Sequence, residues 1–469
     1  MGEIRQIPLP SRDAQAKNKF AGSQVLVNMF LEMNREEGPA LYSAVGFGSA
    51  WASGLNTGGV RGYCKHGSSV IVVFGTGVLR VTRLANGNAD YTTIGAVSGV
   101  GPAVCVSNGL QVVIVANGTG YVWDGDAIPE VTEITDPDFP GAIDADFIDQ
   151  YVAFVKGGDG TWFISNLADV TDFSALDIIT AEMRPDPCVG IETDGREVLV
   201  FGEDTIEGNY NSGAVGFPFD RTPLSIEIGL VGPQAKARVD QSIAWVAMDK
   251  TVRRLSGGTA EVISDPQTQA FIESWGDLST IRAFSFTARG HEFLVLRHDN
   301  GCAFWDAQTR MWHRRRSHGS LTWRVGGAIA MWGEVLFFDA YKGSIYLMSA
   351  DAFKEDDLPL VRSIETATLG PGGTCFTPNA VVLECDVGVS VLTGQGSDGQ
   401  CWLQVSRDGG RTHGSRMLRA LGERGNRHRQ IVWDGLGQIP PHGGVLAFGC
   451  SDPVDFVITK AWADLTIDQ

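Results

Sequence analysis

Seven times along this chain a short apolar run rich in β-branched and aromatic residues is followed by a Gly, Asn or Asp turn and a second such run. The first runs centre on Ile71, Val112, Val152, Val198, Ile243, Phe293 and Val335, at spacings of 41, 40, 46, 45, 50 and 42 residues. A period of this length fits one small antiparallel sheet per repeat. One such sheet cannot bury both of its faces, whereas sheets stacked around an axis can. The expected fold class is therefore all-β: a β-propeller of about seven blades, with six to eight allowed. The continuous apolar runs read as the inner strands of the blades, covered on both faces. The 59 glycines, without a collagen period, supply the many tight turns this needs.

The period stops near residue 363. Short runs near Thr366, Val381–Asp386, Cys401–Ser406, Arg416–Leu421, Arg429–Trp433, Val445–Cys450 and Phe456–Leu465 follow at turn spacings that suit a β-sandwich. The expected organisation is an N-terminal arm with a propeller-closing strand over 1–65, the propeller over 66–362 and a C-terminal β-sandwich over 363–469. Lys354–Pro359 marks the boundary. Two stretches interrupt the rhythm. Leu167–Arg184 reads as carrying a turn of helix, and Asp265-Pro266 as a helix start.

A formal charge of −18 argues against tight nucleic-acid binding, which needs Lys and Arg to neutralise phosphates. It keeps a large protein soluble and leaves open that DNA is surrounded without being held. No run of 18 apolar residues occurs, so no membrane-spanning segment is expected. The start of the chain lacks the features of a signal peptide, and Gln6 breaks a myristoylation pattern. None of the eight cysteines forms a Cys-x-x-Cys pair, so zinc is not expected. Most sit in apolar runs and read as buried thiols made in a reducing compartment.

Four constellations invite a chemical reading. Ser406-Arg-Asp-Gly-Gly-Arg-Thr412 matches the Asp-box hairpin of sialidases, in which the Asp side chain bonds the turn backbone; the structural reading is preferred. Asp138, Asp144, Asp146 and Asp149 could supply a glycosidase pair or a calcium site, but their spacing fits no EF-hand loop and they read as loop carboxylates. Met311–His318 is a basic run in an acidic chain. Its Trp312, Arg314, Arg315 and Arg316 are candidate partner contacts, against the plainer reading of a blade strand with salt-bridged arginines. Arg424, Arg427 and Arg429 form a second candidate contact in the C-terminal region. No phosphate-binding loop, dinucleotide fingerprint, nucleophile elbow or zinc-protease motif occurs, so neither catalytic residues nor a cofactor is expected.

Several segments carry a family resemblance. Gln6-Ile7-Pro8-Leu9, Val27–Glu32 and Pro39–Tyr42, then Asp159–Leu167 with its Trp-Phe-Ile, and Val200–Glu207 resemble the packaged-DNA stabilisation proteins of short-tailed bacteriophages, also called tail accessory factors, tail hubs or nozzles. Leu392–Gly396, Val405–Gly410 and Phe448–Val454 are similar to related prophage tail proteins, while 220–285 matches least. The resemblance implies a virion tail protein, made in the host cytoplasm. It implies a homo-oligomeric ring, expected to be a hexamer, beneath the portal and its adaptor. Tail fibre or tailspike and tail tip or needle proteins would be its other partners. The ring would close the DNA exit after packaging and conduct the genome at ejection without specific binding. The alternatives are a sialidase-like carbohydrate-active propeller enzyme and a propeller adaptor for protein partners.

Overall fold

The computed structural model describes residues 3–13, 24–34, 38–125, 130–181, 186–370 and 373–467. These residues form seven successive antiparallel sheet units, each with its strands in chain order. The first is Val60–His66, Ser69–Phe74, Gly77–Arg83 and Ala89–Ala96. The next six begin at Ala103–Ser107, Asp144–Ile148, Cys188–Asp194, Lys236–Val239, Arg282–Ala288 and Val325–Met331. Six units supply four strands each. The seventh supplies three and takes Ala52–Ser53 as its fourth, paired with Ser344 and Ile345. The leading strand of the seventh unit packs against that of the first, which closes a ring. The fold is a β-propeller.

The periodic apolar runs identify one strand in every blade, but that strand is the second, not the innermost. Ser69–Phe74, Val112–Ala116 and Ser242–Val246 are buried along their whole length. They lie between two paired neighbours within a blade and between two blades, so both faces are apolar. The leading strand of each blade borders the axis and mixes polar with apolar residues. Val60–His66 is buried only over its first three residues. The hairpins turn where the sequence indicates: Asn117 and Gly118 both have positive φ, 53° and 80°, the geometry that suits two-residue hairpin loops.

The N-terminal segment does not wander. Glu3–Gln6, Met29–Asn34 and Gly38–Ser43 join Ile458–Ile467, Phe376–Cys385 and Ile431–Asp434 in one sheet. Val25–Val27 bridges the outer strand of blade six, Met311–Arg314, to Arg362–Glu365, so a nine-stranded sheet runs from blade six into the C-terminal strands. The two sheets share a core that includes Met29, Leu41, Phe376, Leu403, Trp433 and Phe448.

Asp265 caps the α-helix Pro266–Glu273, accepting from the Thr268 N–H at 2.8 Å, as the Asp-Pro pair indicates. Between Leu167 and Ala181 the structure has turns and a strand, Ile178–Thr180, in place of the expected helical turn. Paired against Thr161–Phe163, this strand completes blade three. Residues 182–184 of that expectation lie outside the described residues. Lys354–Glu355 and Leu358–Pro359 pair as a small hairpin with a buried Glu355. No helix among the described residues is long and apolar enough to cross a membrane.

Candidate functional site

The leading strands of all seven blades line an axial cavity of about 370 Å³. It is narrow at the level of Gln234, whose Nε2 donates to the Ala103 carbonyl at 3.2 Å across the axis from blade two. Tyr63 Oη accepts from the Ala328 N–H at 3.1 Å between blades one and seven. Even the major groove of DNA is about 12 Å wide, so a duplex does not thread this axis.

The cavity walls are charged. Lys236 Nζ lies 2.8 Å from Asp144 and 3.4 Å from Glu192. Burial, the Asp144 and Glu192 charges notwithstanding, works against the Lys236 charge; the two carboxylates outweigh it and hold its pKa above the ordinary value. Burial pushes Glu192 up to about 7, against the pull of Lys236, because one ammonium cannot fully compensate two desolvated carboxylates. Facing blades one and six, Arg61 donates to the carbonyls of Gly101, Gly75 and Ser98 at 2.5, 2.9 and 2.9 Å. Arg282 Nη1 donates to the Val60 carbonyl at 2.5 Å. Asp144 shows in the sequence only as one of four aspartates; Arg61, Glu192, Lys236 and Arg282 escape a sequence search because each sits in a mixed-polarity leading strand, ahead of the apolar run that attracts the eye.

The acidic group does not converge. Asp138 accepts from the Ala175 N–H, Asp144 from Ile191 N–H and Lys236, Asp146 from the Thr193 N–H and hydroxyl, and Asp149 from Asn211. Each is held by different neighbours, and no group of three or more potential metal ligands occurs among the described residues. The Asp-box hairpin is local architecture. Asp408 accepts from the N–H groups of Arg411 and Thr412 at 2.9 Å and from the Thr412 hydroxyl at 2.6 Å, while Gly409 and Gly410 take positive φ. These hydrogen bonds to the ionised form, the Thr412 hydroxyl first, hold the Asp408 carboxyl well below the usual range.

The basic run lies mostly inside the protein, which corrects the reading of three of its residues as surface contacts. Trp312 is buried and donates Nε1–H to the Ile263 carbonyl at 2.8 Å. Arg314 donates to Asp13 at 2.6 Å and stacks 3.8 Å above the Phe271 ring. Arg315, 1% exposed, donates to Glu355 and the Val45 carbonyl, both at 2.7 Å, over the face of Trp323. Their physical reason is the nine-stranded sheet: a strand that is terminal in an ordinary blade is covered here by Val25–Val27 and by the 354–359 hairpin. Arg316, Arg424, Arg427 and Arg429 are exposed.

Two further joints tie the N-terminal segment to blade six. Asp13, pushed up to about 6 by burial against the opposing pull of Arg314, also accepts from the Leu26 N–H. His291 bridges Asp306 and Glu32, each at 2.8 Å.

Three solved structures share the general shape at low similarity. They are the WD40 β-propeller domain of Doa1 (11% identity, 64% of this chain and 97% of that one, TM-score 0.41), the computationally designed Ika8 protein (15%, 64% and 99%, 0.37) and BamB from Moraxella catarrhalis (12%, 74% and 100%, 0.38). At these scores they add nothing to the argument. No curated protein matches the chain in sequence. The family model described as "Bacteriophage P22 Gp10, beta-propeller" matches residues 5–352, from the first N-terminal strand to the end of blade seven. The chain therefore belongs to this β-propeller family of packaged-DNA stabilisation proteins of short-tailed phages.

Proposed function

We propose that this phage structural protein is a tail hub, or nozzle: several copies, six by our reading, form a ring beneath the portal and its adaptor, carry fibre or spike proteins, close the DNA exit and conduct the genome at ejection. Family membership over 5–352 is the observation that carries this reading. The axis supports one refinement of it. A cavity of about 370 Å³ crossed by Gln234 leaves no room for a duplex, so the conduit lies between copies and each propeller serves as a wall element. A net charge of −18 suits such a wall, because it repels phosphate within about 10 Å at physiological salt. The four exposed arginines, Arg316, Arg424, Arg427 and Arg429, remain the proposed contacts for protein partners. The test is the native mass of the purified protein, alone and with a portal–adaptor complex. A ring-sized assembly that binds the complex supports the reading; a persistent monomer with no affinity for it ends it.

A further inference from the structure

The axial cavity is not merely filler. Most guanidinium groups within the fold are matched to a carboxylate or saturated with carbonyls. Arg314 meets Asp13, Arg315 meets Glu355, and Arg324 meets Asp339. Arg61, at the same cavity, has three carbonyl partners. Arg282 differs. Its one hydrogen bond among the described residues is to the Val60 carbonyl, and no carboxylate lies within salt-bridge distance. It lines the cavity, and its Nε and Nη2 are not among the buried nitrogens that lack a partner. The carboxylates of the cavity, Asp144, Asp146 and Glu192, sit on blades three and four; Lys236 of blade five holds Asp144 and Glu192, and Thr193 holds Asp146. Arg282 thus lines the cavity with no carboxylate of its own, while the acidic side of the cavity has Lys236.

From this geometry we infer that the axial cavity is a binding site for a small oxyanion, a carboxylate, sulfate or phosphate, gripped by the free edge of the Arg282 guanidinium. A guanidinium fork matches two oxygens of such a group, and hydrogen bonds to an ionised partner are the strong ones. Burial, then the nearby Arg297, brings Arg282 down to about 10; an anion beside it would relieve that penalty. The volume falls in the lower part of the range of small-molecule sites, and leaves room for the anion with a few waters or a short substituent. The site is independent of the assembly reading: it is complete within one chain, and it stands or falls whether or not the protein forms a ring.

The experiment uses inorganic phosphate and acetate, titrated at constant ionic strength into the purified full chain, with heat release and melting temperature as readouts. Saturable binding and a melting temperature that rises with ligand are expected, since a ligand of the native state alone stabilises it. Arg282→Gln should abolish both effects. Arg238→Gln, which alters a cavity arginine already paired with Asp194 at 3.0 Å, should retain them. Should Arg282→Gln fail to fold, Arg282→Lys keeps the charge without the fork and should weaken binding about tenfold or more. No saturable binding of either anion to the native chain, or equal affinity in the Arg282 and Arg238 variants, overturns the inference.

Discussion

At the scale of single residues, the most consequential groups are charges the fold has taken out of water. Glu355 receives Arg315 Nη2 at 2.7 Å, the Trp323 indole N–H at 2.9 Å and the Ser317 hydroxyl at 2.5 Å. Arg315 Nε and Nη1 have no partner among the described residues, so this carboxylate is the main compensation for a fully buried guanidinium. Glu355→Ala should therefore cost about 3–5 kcal/mol, read as a lower urea midpoint; a shift within error would show that water reaches Arg315. Glu192 sets a pH dependence. Its folded pKa is raised from 4.5 to about 7, so the folded state holds a proton the unfolded chain releases earlier. The stability it contributes is full below about pH 4.5 and is lost as pH rises through about 7. Unfolding midpoints measured on either side of that window should differ less in Glu192→Gln than in the native protein. An identical difference would assign the slope to other groups. His291 works in the same direction. Burial opposes its charge, but bonds to Asp306 and Glu32 outweigh this and raise its pKa. Its contribution is full below its ordinary value near 6.5 and fades as pH rises through the folded value. Amide protection factors in Met29–Met33, corrected for the intrinsic pH dependence of exchange, should fall above neutrality, and this fall should vanish in His291→Gln.

At the scale of elements, the seam between blades one and seven depends on close backbone approach. A Cβ at Gly59 would stand 1.9 Å from the Ala340 carbonyl oxygen, with backbone on both sides and no flexible side chain to yield. Gly59→Ala should cost about 1–3 kcal/mol, seen as a lower melting temperature, while the same change at Gly67, where a Cβ meets nothing within 4 Å but φ is +55°, should cost only the modest strain of a left-handed residue. Comparable losses at both sites would mean the seam is looser than described. The same scale shows what the sequence reveals. Second strands are legible because both faces of each are apolar: Ser69–Phe74 and Val112–Ala116 need no context to be recognised. Leading strands are not, because one side faces a polar cavity and the pattern dissolves; Asp144 stands out there only beside other aspartates, and Lys236, Glu192 and Arg282 carry no signal of their own. Val25–Val27 and Ala52–Ser53 are three and two residues long, too short for any periodicity, yet they join the two sheet systems and complete the last blade. Arg314 and Arg315 are misjudged for a related reason. Charge in a sequence suggests surface, and only the covering elements, distant in the chain, reveal otherwise.

At the scale of the whole molecule, the exposed arginines offer a clean separation of folding from assembly. Arg424, Arg427 and Arg429 lie in a turn region and have no salt bridge among the described residues. Replacing all three by Glu should leave the melting temperature within about 1 kcal/mol equivalent of the native value while weakening association with the portal–adaptor complex, measured by sedimentation. Unchanged association would move the partner surface elsewhere, with Arg316 the remaining candidate. The acidic balance belongs to this scale too. It rests on 55 acidic against 37 basic residues, so a single substitution will hardly alter it.

The pairing of Glu3 with Leu465 and of Leu41 with Ile458 sets a timetable for biosynthesis. These strands leave the ribosome more than 400 residues ahead of their partners. At about 5–20 residues per second, the opening strands wait tens of seconds with their edges uncovered. The blades can form in turn behind them, but this sheet closes only once Ile458–Ile467 has emerged, so a product truncated before that strand carries an unlatched head and becomes a natural target for chaperones and proteases.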